Sequence, residues 1–150
     1  MTARQRRVSG KPSVLRRAAA TGRLRLRPTT VRAIREGDVG KGNPLATAEA
    51  AGLLAMKRTS ELLPHCHIVP LTASRVTVAL RRGGVSVRAE AEARGPTGVE
   101  MEALVGATVA LLTVWDMVKY SEKDARGQYP RTSLEGLRVV RKEKGEIPRS

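Results

Sequence analysis

Phenylalanine is absent from this chain of 150 residues, and the other aromatics amount to one Trp and two Tyr. An interior without large rings is left to Ala, Val and Leu, whose small side chains favour close packing of helices. Cysteine is almost as scarce: the single Cys66 excludes an internal disulfide and gives no sign of an oxidising compartment. No long apolar run follows the basic residues near the start, so no secretory signal is expected. The longest nearly uncharged stretch, Ala103 to Val114, falls short of the ~18 residues a membrane span needs and reads as a buried helix. A cytoplasmic protein without a membrane partner is the expectation. Asn and Gln are limited to Gln5, Asn43 and Gln128 while charged residues are plentiful, a composition that favours a heat-adapted source, a thermophile.

Negative charge is scarce as well. Asp and Glu total 14 against 28 Lys and Arg, a formal net charge of +14, which favours anionic partners such as nucleic acid, an acidic membrane surface or a phosphorylated small molecule. The imbalance is steepest in residues 1–35, which hold eleven Lys or Arg and no acid, with Gly10, Pro12 and Pro28 interrupting any long period. That stretch reads as a basic arm, solvated and loosely docked. Within it, a short helix capped by Thr29 or Thr30 and closing at Gly37 is expected.

What remains is organised as one domain. Asn43 is a good N-cap, Pro44 suits the first helical position and Pro64 bars continuation, so a helix is predicted over 44 to about 62. Leu45, Ala48, Gly52, Ala55 and Leu62 form its apolar stripe. Ser74 to Leu80 and Val85 to Glu92 alternate around the turn Arg81–Gly84 and predict an antiparallel hairpin. Thr97 with Glu100 three residues on has the capping-box pattern, opening a second long helix that runs to about Tyr120. Leu134 to Lys142 reads as a last strand. The implied architecture is α+β, an antiparallel sheet with long helices packed on one face.

Ionisable residues stand at fixed offsets on these helices. Asp116 and Lys119 are three apart and share a face, either as an ordinary intrahelical ion pair or as an acid and an amine in one site. Glu100 and Glu102 diverge by about 200° on an ideal helix, so a pocket in one subunit is expected to take only one of them. Glu102 and Asp116 lie on nearly one stripe but roughly 21 Å apart, so if both function, another subunit completes the site. His65, Cys66 and His67 cannot readily converge on one ion, and no other His exists, so no metal site is expected. Either His suits hydrogen bonding to a polar substrate or proton transfer. Cys66 reads more readily as a small buried residue than as a nucleophile. Lys57 and Arg58 complement the dipole at a helix C-terminus, and Lys41 precedes a helix N-terminus where a phosphate is favoured.

Two strings, KGNPLATAEAAGLLAMKRTSELLPHCH (Lys41 to His67) and TGVEMEALVGATVALLTVWDMVK (Thr97 to Lys119), carry a family likeness. They closely resemble the segments KGxxLATA, AxKRTSxLxPxCH, GxTGVEMEAL and LTVxDMxK of the cyclic pyranopterin monophosphate synthase family of molybdenum cofactor biosynthesis. The resemblance covers residues 11 to 142, sets 1–10 apart as a basic extension, and implies a ferredoxin-like fold for 11–150. It implies a lyase that converts (8S)-3',8-cyclo-7,8-dihydroguanosine 5'-triphosphate to cyclic pyranopterin monophosphate, a pterin, with release of pyrophosphate. By this resemblance Asp116, Lys119, Lys41 and His67 are catalytic. His65, Cys66, His67, Glu100, Met101, Glu102, Lys57, Arg58 and Lys142 are substrate-binding. It further implies no tightly bound cofactor, with Mg²⁺ at most accompanying the triphosphate, and a homo-oligomer, a hexamer built as a trimer of dimers with sites at subunit interfaces.

Departures from the family pattern are specific. His65 stands for a usual Leu, Ile68 for a usual Pro and Asn43 for a usual Asp. Lys142 is kept, but Glu146 falls where a GGKSG-like ending has a second lysine, a loss that Lys144 or Arg149 would have to cover. The pattern MVDV near the start survives poorly and leaves the first strand undefined. The competing class is a basic nucleic-acid-binding module, which lacks here the stacking aromatics of single-strand binders and any helix-turn-helix signature.

Overall fold

Alanine-rich strands and two glycine-bearing helices build an open-faced sandwich. The computed structural model describes residues 1–146. Its elements are β1 (Val14–Arg25), α1 (Pro28–Glu36), α2 (Pro44–Lys57), α3 (Thr59–Leu62), β2 (Ala73–Arg81), β3 (Gly84–Gly95), α4 (Glu100–Glu122) and β4 (Ser133–Gly145). Every pairing is antiparallel and the strand order is β2-β3-β1-β4. With α2 and α4 packed on the sheet, this is the α+β, ferredoxin-like arrangement that the resemblance implied.

The basic N-terminal stretch needs a correction. Residues 14–25 are not a loosely docked arm but one of the sheet's two inner strands, paired with β3 on one side and β4 on the other. Ala18, Ala20 and Leu24 of β1 enter the core, while Arg17, Thr21, Arg23 and Arg25 alternate with them. The run of cations concealed a period of two, because arginines on one face of a strand say nothing against a buried opposite face. That open face carries much of the chain's charge, with Arg17 2.7 Å from Glu92, Arg88 3.2 Å from Glu90 and Arg141 2.6 Å from Glu143.

Helix ends also differ from expectation. The cap of α1 is Arg27 rather than Thr29 or Thr30, with Pro28 in the first turn; Gly37 closes it at φ 72°. Asn43 caps α2 through hydrogen bonds from the Leu45 and Ala46 amides. The expected single helix to residue 62 breaks at Arg58. There the Thr59 hydroxyl donates to the carbonyls of Ala55 and Met56, competing with the backbone ladder. The capping box does not form: α4 begins at Glu100 after Val99, with no side-chain cap.

Of all the helices, α4 alone is long and apolar enough to span a bilayer by composition, among the described residues. Here it is a core helix: Ala103, Ala107, Ala110, Leu111, Val114 and Val118 are buried against the sheet and α2. Each fully buried Leu or Val contributes roughly 1.5–3 kcal/mol. Where α4 crosses α2, a Cβ on Gly52 would sit 3.0 Å from the Gly106 carbonyl oxygen, so the crossing needs a residue without one.

Candidate active site

The sequence-predicted residues separate into two groups, one at each end of α4. At the C-terminal end, Asp116 stands between two ammonium groups: Lys119 Nζ is 3.0 Å from Oδ1 and Lys41 Nζ 3.5 Å from Oδ2. Lys41 also donates to the Asp116 backbone carbonyl at 3.2 Å. The loop that brings Lys41 here is held by the Gly40 amide, which donates to the Tyr120 hydroxyl, and by the Asn43 cap just after it. The hydrogen bond from Lys119, then the charges of Lys119 and Lys41, hold the Asp116 carboxyl below the usual carboxylate range. The same hydrogen bond and the Asp116 charge raise Lys119, which therefore stays an ammonium at neutral pH. This group is open to water, with the Asp116 side chain 60% exposed.

At the N-terminal end the surroundings are drier. Glu102 is 3% exposed, and its Oε2 has no hydrogen-bond partner among the described residues. Burial raises its carboxyl; its own backbone amide opposes this and the Glu100 charge adds to it. Glu100 Oε1 lies 2.7 Å from Lys142 Nζ. Burial pushes Glu100 up, but hydrogen bonds from Lys142 and its own amide, with the charges of Lys142 and Arg16, leave it below the usual range. A side chain at Gly98 would collide with the Glu100 carboxylate, which curls back over it.

The thiol of Cys66 is raised by burial, then by the charges of Glu102 and Glu100. The two side chains nevertheless part as a helix requires, Glu100 going to Lys142 and Glu102 into the interior. His67 is half-buried beside Cys66, His65 is exposed, and Met101 is 41% exposed at the first turn of α4. Lys57 and Arg58 are exposed where α2 breaks. Among the described residues no group of His, Cys, Asp and Glu is placed to hold a metal ion. Lys144 is exposed on β4, whereas Arg149 lies outside the described residues.

Three features escaped sequence reading. Glu122 is fully buried and accepts hydrogen bonds from the Arg27 amide and the hydroxyls of Thr30 and Thr132, tying α1, α4 and β4 together behind the Asp116 group. Its signal was an acid in the last turn of a helix, where the dipole disfavours one. Trp115 and Tyr129 meet edge to face at 5.3 Å beside Lys119. Clefts lined by Arg17, Arg75 and Arg141, and by Arg23, Arg88 and Arg138, lie on the open face of the sheet rather than at either group.

A model of the MoaC family matches residues 6–145. The chain belongs to the MoaC family. A MoaC-family relative from Methanoregula boonei, named probable cyclic pyranopterin monophosphate synthase, is 54% identical over 139 residues, covering 93% of this chain and 90% of that protein. A protein of the same name from Pyrococcus abyssi is 54% identical over 135 residues, covering 90% and 85%. Another from Methanococcoides burtonii is 50% identical over 140 residues, covering 93% and 88%. These alignments take in both ends of α4 and the MoaC-family strings that precede them.

Proposed function

We infer that this chain is a cyclic pyranopterin monophosphate synthase, a lyase of molybdenum cofactor biosynthesis working in the cytoplasm. It takes the cyclised dihydroguanosine triphosphate to the cyclic pterin phosphate and releases pyrophosphate. The observation that carries this is the paired chemistry on α4: an ammonium–carboxylate couple at one end, and at the other a desolvated carboxyl whose charge acts on Cys66. Lys119, held as an ammonium by Asp116, donates a proton or stabilises developing negative charge, and Lys41 supports it from the preceding loop. His67 exchanges protons with the ring or sugar. Glu102, Glu100 and Met101 bind the base, with Cys66 and His65 at their edge. Lys57, Arg58 and Lys142 offset the charge of the phosphates. No resident cofactor enters this scheme, and any Mg²⁺ arrives with the triphosphate.

The two groups are one site only across a subunit boundary. They lie roughly 21 Å apart along α4. Between them the outer face of the helix is an apolar stripe on which Met101 is 41% and Leu112 47% exposed, ending at Asp116. A second copy laid antiparallel along this stripe covers it and brings Asp116 and Lys119 of one subunit to His67 and Glu102 of the other. Such a two-fold pair is the building unit of the hexamer we propose.

Incubation of purified protein with the cyclised nucleotide, with products read by mass spectrometry, tests the activity. Asp116→Ala and Lys119→Ala are expected to abolish turnover with unchanged circular dichroism; normal turnover by both removes the assignment. Mixing Lys119→Ala with His67→Ala tests the shared site. Random pairing of two-fold dimers restores about a quarter of wild-type activity, because half the pairs are mixed and each holds one intact site of two. No recovery after subunit exchange places the site within one subunit. The relatives named above give the nucleic-acid-binding alternative no support.

A further inference from the structure

The N-terminal extension, residues 1–13, belongs to no helix or strand, yet it is fastened to the segment that the synthase reading places against substrate. Gln5 Nε2 donates to the Cys66 carbonyl at 2.8 Å, and His65 Nδ1 lies 2.6 Å from the Arg4 carbonyl oxygen. A carbonyl oxygen only accepts, so His65 Nδ1 is the donor in this contact. Adjacent residues on the arm thus hold adjacent residues of the site. After Gln5 come Arg6 and Arg7, both exposed, neither with a carboxylate within ion-pair distance among the described residues. Their backbones are at most roughly 7 Å of chain from the Gln5 anchor. The Lys11 amide donates to the Val8 carbonyl at 3.0 Å, turning the chain toward β1.

Two of the positions expected to supply cations to the neighbouring pocket are compromised, although Lys57 and Arg58 remain exposed. Lys142 is already 2.7 Å from Glu100, and acidic Glu146 occupies the position expected to hold a second lysine. A guanidinium offers the planar, two-toothed donor pattern that phosphate oxygens accept. We propose that the arm is a phosphate strap, in which Arg6 and Arg7 bind the polyphosphate of the substrate while Gln5 and His65 hold the strap against the site. This rests on the synthase reading for the identity of the ligand. His65, which replaces a usual Leu, is then an anchor for the strap and not itself a catalytic residue.

The test compares the full chain with a chain lacking residues 2–7, with Arg6→Ala/Arg7→Ala and with His65→Leu; Arg138→Ala, a cation removed from the open sheet face, is the control. Titration calorimetry with inorganic triphosphate gives Kd, and turnover of the cyclised nucleotide gives KM and kcat separately. The truncated and double variants should weaken triphosphate binding about tenfold, raise KM more than they lower kcat, and lose this difference in high salt. His65→Leu should move Kd in the same direction by less, and Arg138→Ala should leave it unchanged. An unchanged Kd on truncation, or an equal loss in Arg138→Ala, overturns the strap. An arm-dependent Kd in a protein that makes no cyclic pterin phosphate supports the strap and refutes the synthase reading instead.

Discussion

The two ends of α4 hold carboxyl groups in opposite states. At the N-terminal end Glu102 is desolvated and its carboxyl is raised, so it keeps a proton more readily than an ordinary glutamic acid. At the C-terminal end Asp116 sits in water between Lys119 and Lys41 and stays an anion. One helix therefore presents a reluctant anion at one tip and a fixed ion pair at the other. Local surroundings, not residue type, set what each acid can do.

The sharpest way to break this contrast is Lys119→Ala, expected to lower kcat about a thousandfold with little change in melting temperature. Next is Glu122→Ala, which strands the Arg27 amide and two threonine hydroxyls. It should cost about 3 kcal/mol in denaturant unfolding while leaving Cys66 alkylation unaffected. Glu102→Gln should cost about a hundredfold in kcat yet stabilise the fold at neutral pH. The sign follows from the raised folded carboxyl: ionisation is harder in the folded state, so wild-type stability falls as pH climbs from the unfolded carboxyl's range through the folded one. The glutamine variant escapes that fall, and a flat comparison of the two melting curves with pH would rule the contrast out. The same variant removes an anion beside Cys66, so its alkylation should begin at lower pH. Smallest is the stability effect of Asp116→Asn. Because the folded carboxyl is depressed, any stabilisation is present above the ordinary aspartate range and vanishes as pH falls through the folded value, and at an exposed pair it is slight.

Much of this arrangement was legible in the chain. Asn43 and Pro44 at the start of α2, the alternating hairpin and the long apolar run of α4 carry local signals that tertiary structure did not override, whereas the break at Arg58 before Pro64 was not foreseen. β1 was not legible, because its core side is Ala18, Ala20 and Leu24 and its charged side dominates any compositional reading. The start of α4 was misread because Thr97 and Glu100 have capping-box spacing, whereas the Glu100 carboxylate is instead engaged by Lys142. Lys41 meeting Asp116 across 75 positions of chain is a long-range contact that no spacing rule could supply. The Glu122 cluster had a faint local signal, an anion against the dipole, but its three donors come from elements that converge only in the fold.

The near absence of aromatic residues acquires a purpose at the crossing of α2 and α4. Gly52 and Gly106 let the two rods touch at the waist, where a single methyl group would act as a wedge. Because both chemical groups ride on the tips of the longer rod, a wedge at mid-span would tilt them in opposite directions. Substitutions in the waist, remote from every ionisable side chain discussed, are therefore expected to be as damaging to turnover as many made at the tips themselves.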